Sequence, residues 1–343
     1  MITIAFFNNK GGVGKTSLVY HLAWMYADLG LSAVAADIDP QANLSTMFLE
    51  EDRLEELWPD GDHPQSIMGA VSPILRGTGD ISEPHVELIA NNLGLVVGDL
   101  GLSRFEARLS SAWPACLDRD EAAFRIESAF YRTILKAAEL RNADVALIDV
   151  GPNLGAINRS AIIAADFVVF PLAPDLFSLQ GLRNLGPTLR DWRTEWRDRL
   201  DRRPADSGLP LPSAEINPAG YIVMQHAVRA GRPVQAYQKW MRRIPGVYHQ
   251  VVLDGMDANA SSTEDDTECL STLKHYRSLM PMAQEARKPM FHLKAADGAL
   301  GGHIYAVQDC YQDFKVLATS IAAKCGVTIE SAAGSRDEDT ESE

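Results

Sequence analysis

Asn9-Lys10-Gly11-Gly12-Val13-Gly14-Lys15-Thr16 is the stretch on which the reading of the fold turns. It follows the apolar run Ile2-Thr-Ile-Ala-Phe-Phe7 and opens Thr16–Leu29, where Leu18, Leu22, Met25 and Leu29 share one helical stripe that Gly30 closes. A buried strand over residues 2–8 therefore enters a glycine-rich turn and leaves it as a helix. The pattern GxxxxGK[ST] is not met, because Asn9 stands at the first glycine position, but the chemistry is intact. Gly11, Gly12 and Gly14 let the backbone curl until its N–H groups and the helix N-terminus face phosphate oxygens. Lys15 supplies charge for the β and γ phosphates, and the Thr16 hydroxyl suits Mg²⁺. Val13 and Ser17 complete the segment expected to hold these phosphates.

Ser32–Asp39 reads as a second strand, so strand, helix and strand form a βαβ unit within about 40 residues, which implies a parallel sheet buried on both faces. Further strands are expected at Asp144–Val150, Phe167–Pro171 and Ala219–Met224. The fold class is α/β: a mostly parallel, twisted sheet flanked by helices, with helical insertions. Residues 50–142 are polar and broken by Pro59, Pro64, Pro73, Pro84 and Pro114, as expected of helical connections and an insertion at one sheet edge. A second insertion is expected near residues 200–275, inside a single domain spanning 1–328. Residues 189–203 form a charge-laced helix with Trp192 and Trp196 turned inward, and 204–218 form a proline-rich loop. The acidic end, 329–343, is expected to be disordered.

The 343 residues are 46% apolar and 23% charged, enough for a large core. Lys and Arg total 32 against 46 Asp and Glu, a net charge of -14, which excludes coating of nucleic acid or anionic membrane by the whole surface. Cys116, Cys269, Cys310 and Cys325 form no CxxC pair, which disfavours structural zinc or a disulfide framework. No leader-like segment opens the sequence, and Ala161–Ala173 is too short to span a bilayer, so a soluble, cytoplasmic protein is expected.

Four segments together resemble the deviant Walker A ATPases of the ParA/MinD type, with ParA-like partition ATPases the nearest branch. Lys10 occupies the place of that family's signature lysine ahead of GGxGK[ST]. Asp37-Ile-Asp39-Pro40-Gln41-Ala-Asn43 is similar to its DxDPQxN motif. Leu147-Ile-Asp149-Val-Gly151-Pro152 resembles its Walker B and switch region, with Gly151 where the family usually has a second proline. Pro171-Leu-Ala-Pro174 and Ser178-Leu-Gln-Gly181-Leu182 resemble the strand and helix that follow. The likeness covers most of residues 1–190, resumes loosely over Leu279–Ile321, and fits poorly over 204–275.

The resemblance implies that Asp39 positions the attacking water, that Asp37, Asp149 and Thr16 support Mg²⁺, and that Lys10 reaches the phosphates of a second subunit. It implies a switch in which Mg-ATP drives a homodimer and slow hydrolysis, stimulated by an adaptor protein, releases it. Such switches segregate or position DNA or protein cargo. Arg229, Arg232, Lys239, Arg242 and Arg243 form a basic patch in the region where ParA-like proteins carry DNA-contacting residues, and sequence-independent DNA binding is expected there. An ATPase subunit of a defence or other multi-protein system, acting through protein partners, is the alternative.

Other functions on the same fold fit less well. A redox role like that of the nitrogenase iron protein needs cluster cysteines soon after Asp149, and none occurs before Cys269. A ligase like dethiobiotin synthetase is disfavoured by Lys10 and the Asp-Pro-Gln run. MinD-like membrane binding needs a basic amphipathic C-terminal helix, where this sequence is acidic, and the phosphate loop lies too near residue 1 for a preceding helix-turn-helix domain. His21, His226, His275, His292 and His303 match no metal-binding pattern, and Glu264-Asp265-Asp266 reads as a solvated loop.

Overall fold

The computed structural model describes residues 1–343 except 206, 225–234, 256–261, 277 and 330–343. In chain order its elements are β1 (Ile2–Phe6), α1 (Lys15–Asp28), β2 (Ala33–Asp37), α2 (Asn43–Phe48), α3 (Glu51–Leu57), α4 (Ile67–Arg76), β3 (Glu87–Ala90), β4 (Leu93–Val96), α5 (Glu106–Ala115), α6 (Glu121–Glu127) and α7 (Ala129–Arg141). They continue as β5 (Val145–Asp149), α8 (Ala156–Ile163), β6 (Phe167–Leu172), α9 (Leu176–Leu200), β7 (Asn217–Met224), α10 (Gln235–Met241), α11 (Ile244–Val251), β8 (Cys269–Leu273), α12 (Leu279–Ala286) and α13 (Gly302–Cys325).

Among the described residues one sheet runs in the order β3-β4-β2-β5-β1-β6-β7-β8. Every pairing is parallel except β3 with β4. The inner strands β4, β2, β5, β1 and β6 are largely apolar and buried because both faces are covered. Along β1 the side chains alternate: Ile4 and Phe6 join the core under α1 and α13, and Ala5 and Phe7 join the core under α7 to α9.

Three strands lie outside those expected. Residues 50–142 are not helical connections alone, since β3 and β4 extend the sheet beside β2. Leu93-Gly-Leu-Val96 is too short to betray itself by periodicity, and its four buried residues become a strand by pairing with Ala33–Ala36. At the opposite edge β8, Cys269–Leu273, pairs with β7 through mixed polar and apolar residues. The helix expected over 189–203 begins earlier, at Leu176, and Pro218 belongs to β7 rather than to the preceding loop. Trp192 and Trp196 are buried as expected. The acidic end beyond residue 329 lies outside the described residues.

Candidate functional site

β1, β2, β5 and β6 end on the same edge of the sheet, the edge at which ligands bind in open parallel sheets. From β1 the chain turns through Asn9–Gly14 into α1. Gly12 and Gly14 hold φ of +73° and +85°, values that L side chains rarely adopt, which is why glycine recurs in this turn. α1 opens with no side-chain cap and no acidic residue in its first turn. Its first N–H groups and the positive end of its dipole therefore face outward over the loop.

Below the loop the register sets Asp37 of β2 beside Asp149 of β5, with Phe6 of β1 on the other side of Asp149. Both carboxylates are fully buried. Asp37 Oδ2 accepts from the Ser45 N–H and Oγ, each at 2.8 Å, while Oδ1 has no hydrogen-bond partner. Neither oxygen of Asp149 accepts a hydrogen bond, and Lys15 Nζ stands 3.7 Å from Oδ1. Burial, then the Asp149 charge, pushes the Asp37 pKa well above the ordinary carboxylate range. Burial raises that of Asp149 too, and Lys15 draws it partly back. Buried oxygens of this kind are costly without a partner, and a cation supplies one. Among the described residues no three His, Cys, Asp or Glu side chains are arranged to hold a metal alone. Mg²⁺ keeps few protein ligands and takes the rest from phosphate and water, so Asp37, Asp149 and Thr16 beside a bare helix N-terminus fit Mg²⁺ carried by a nucleotide.

Asp39 lies in the turn beyond β2, almost buried, and its Oδ1 accepts from the Gln41 N–H at 3.0 Å. Gly151 packs against it: a methyl group there would sit 3.3 Å from Asp39 Oδ1. The Gly151 N–H donates to Asn158 Oδ1 at 3.1 Å, a bond that the family's usual proline could not make. Lys10 lies on the other flank. Its ammonium pairs with Asp175, the N-cap of α9, and stands 6.0 Å from the Phe177 ring. Partial burial opposes ionisation of Asp175, but Lys10 holds its carboxyl below the usual range. Within this single chain Lys10 is thus committed to Asp175.

Lys10, Gly11 to Ser17, Asp37, Asp39 and Asp149 converge on one edge. Of the basic patch, Lys239, Arg242 and Arg243 are exposed around the junction of α10 and α11. Trp240 sits there between Lys239 and Arg243, at 5.3 and 5.1 Å. Arg229 and Arg232 lie outside the described residues. Sequence reasoning missed Ser45, Asp175 and Asn158. Asp175 carried a signal, an Asp three residues before Ser178 at a helix start, where its carboxylate accepts the Ser178 N–H at 2.8 Å.

The family model AAA_31, an AAA domain, matches residues 1–202. The chain belongs to this family, as a ParA/MinD-type P-loop ATPase. This ParA-type chain is 27% identical to protein IncC of Escherichia coli over 198 residues, 56% of the chain and 47% of IncC. It is 29% identical to the sporulation initiation inhibitor protein Soj of Bacillus subtilis over 188 residues, 54% of the chain and 64% of Soj. It thus spans roughly half to two-thirds of the length of these relatives. In fold it is similar to protein DIP2308 of Corynebacterium diphtheriae, with a TM-score of 0.70, 22% identity, and 95% and 99% of the two chains covered. A Cyanothece McdA variant in complex with ATP gives a TM-score of 0.64 and 15% identity over 96% and 97%. No helix among the described residues is long and apolar enough to cross a membrane.

Proposed function

We propose that this ParA-type ATPase is a nucleotide switch that binds and slowly hydrolyses Mg-ATP, pairs with a second copy in the ATP state, and positions DNA or a protein cargo. The observation that carries the reading is the pair of buried carboxylates, Asp37 and Asp149, three of whose four oxygens accept no hydrogen bond, beside Lys15 and an uncapped helix N-terminus. In this reading Lys15 and the loop amides, Gly11 to Ser17, hold the phosphates. Bound Mg²⁺, held by Thr16, Asp37 and Asp149, supplies charge compensation for the transferred phosphoryl group. Asp39 orients the attacking water. Lys10 leaves Asp175 and turns to the phosphates of the second copy, supplying transition-state charge as an arginine finger does. The relatives' names, chromosome partitioning protein ParA in Caulobacter vibrioides and cell division protein PomZ in Myxococcus xanthus, support a role in partition or positioning, in which an adaptor protein would stimulate hydrolysis.

The net charge of -14 favours a second reading, in which the ATP state engages protein partners and no DNA. Sedimentation with and without Mg-ATP, alongside phosphate release, tests the switch. An ATP-dependent dimer with slow turnover is expected, weakened in Lys10→Ala more than nucleotide binding is. Absence of ATP binding overturns the proposal, and an unchanged dimer in Lys10→Ala removes the role of Lys10 in the second copy's site.

A further inference from the structure

We infer that Glu106, from the segment between β4 and β5, is a positioning residue for hydrolysis, holding the loop Gly151–Gly155 against Asp39 through the N-terminus of α8. The inference rests on the ATP-hydrolysing reading above. Glu106 Oε1 accepts from the Ala156 N–H at 2.6 Å, and Oε2 from the Ile157 N–H at 2.8 Å. These are the first two amides of α8, whose N-cap, Gly155, has no side chain with which to serve them. The carboxylate thus does from 50 residues away what a cap residue normally does locally, and its charge suits the positive end of the helix. The approach is close: a methyl group at 155 would lie 2.8 Å from Glu106 Oε1, and the carboxylate would have to shift to admit it.

α5 grips the same helix again one turn further on. Arg159 of α8 donates to the Leu109 carbonyl at 3.3 Å and lies over Trp113 at 4.1 Å. The Arg199 guanidinium of α9 lies 3.8 Å from the same ring. α5 therefore ties together the two helices that leave the site, α8 beyond Asp149 and α9 beyond Asp175.

From α8 the path to the chemistry is short. Asn158 Oδ1 accepts the Gly151 N–H, and Asn158 Nδ2 donates to the carbonyls of Gly151 and Asn153, both at 2.7 Å. Asn153 Oδ1 in turn accepts the Gly155 N–H at 2.8 Å. A shift of the α8 N-terminus is thus passed to Gly151, and Gly151 is the residue packed on Asp39. Glu106 directs its hydrogen bonds to α8 and not to the phosphate loop or Lys15. Its loss should therefore disturb the group that orients water while sparing nucleotide binding.

The test compares full-length wild type with Glu106→Gln, which keeps one acceptor oxygen, and Glu106→Ala, which keeps none. Steady-state phosphate release gives kcat and KM, and hydrogen–deuterium exchange reports on the peptide covering 150–160. The expected result is a kcat loss of roughly 10- to 100-fold in Glu106→Ala, intermediate in Glu106→Gln, with KM little changed. Exchange should rise over residues 151–157 and stay unchanged in β1 and β5. An unchanged kcat beside raised exchange overturns the inference, as does unchanged exchange. A loss of kcat with a parallel rise in KM and in exchange across the sheet assigns Glu106 a purely structural role and also overturns it. Should Glu106→Ala fail to fold, Glu106→Gln carries the same comparison. A wild type that binds ATP without turnover defeats the hydrolysis reading itself, and is told apart from these outcomes because it needs no variant.

Discussion

Lys15 and Asp39 stand at one site, and the proposed switch gives them different work there. Lys15 is a buried ammonium whose nearby carboxylate is Asp149, and in the proposed switch its charge would compensate both the carboxylates and the incoming phosphates. Lys15→Ala is expected to abolish nucleotide binding in a fluorescence titration. Asp39→Ala removes a carboxylate from the rim and leaves the loop intact, so it should bind ATP, fail to release phosphate, and accumulate as a dimer in sedimentation with Mg-ATP. Comparable nucleotide affinity in wild type and Lys15→Ala would overturn the assignment. A third residue makes the carboxylate geometry testable from behind. Gly98 lies against Asp37, where a methyl group would come within 2.7 Å of the carboxyl carbon and Oδ2, and its N–H donates to Ser45 Oγ at 2.8 Å. Gly98→Ala should displace Asp37 and weaken Mg²⁺-dependent nucleotide binding more than Mg²⁺-independent binding, as read by titration with and without the ion.

At the scale of elements, α1 and α9 each pack through a broad apolar face and carry one close contact whose loss can be measured. His21 of α1 is buried: its Nδ1–H donates to the Ser17 carbonyl at 2.6 Å, and Nε2 accepts from the Met290 N–H at 3.1 Å. Burial, only partly offset by the Ser17 bond, lowers its pKa from 6.5 to about 4. The unfolded chain therefore takes up this proton first, and the stability tied to neutral His21 is lost as pH falls from 6.5 towards 4. The loss is roughly 3 kcal/mol once the interval is crossed. Urea unfolding at pH 7 and pH 4.5 should show this component in wild type and lack it in His21→Gln; equal pH dependence in the two would remove it. α9 crosses α11 at Gly186, where a methyl group would meet the Val251 carbonyl oxygen at 2.0 Å. Because the obstacle is backbone, Gly186→Ala should cost about 1–3 kcal/mol, read as a lower urea midpoint with nucleotide affinity retained.

For the whole molecule the open question is how an acidic protein would meet DNA. Lys239, Arg242 and Arg243 make a local basic surface, and in a dimer two such surfaces would act on one duplex. The expected result is DNA binding that requires ATP, ignores sequence and falls steeply with salt, with the slope reduced in an Arg242→Glu, Arg243→Glu variant. Binding by the variant equal to wild type, or none by wild type at low salt with ATP, would assign the partner surface to protein alone.

What could be read along the chain was whatever rests on local chemistry. Glycine spacing, a lysine and a hydroxyl residue define a phosphate loop because backbone freedom and charge act over a few residues. Unbroken apolar runs announce Ile2–Phe6, Val145–Asp149 and Phe167–Leu172 as buried strands because both faces of a parallel sheet must be covered. Asp37, Asp39 and Asp149 stand out because carboxylates at strand ends are unlike the strands that bear them. β4 and β8 do not stand out, since a glycine interrupts Leu93–Val96 and polar residues interrupt Cys269–Leu273, so that only a neighbour's hydrogen bonds make them strands. Lys10 with Asp175, Gly98 with Asp37, and Glu106 with the first amides of α8 are likewise beyond sequence reading. Each joins residues 50 or more positions apart, and such pairs exist only once the sheet order has brought their loops to one edge.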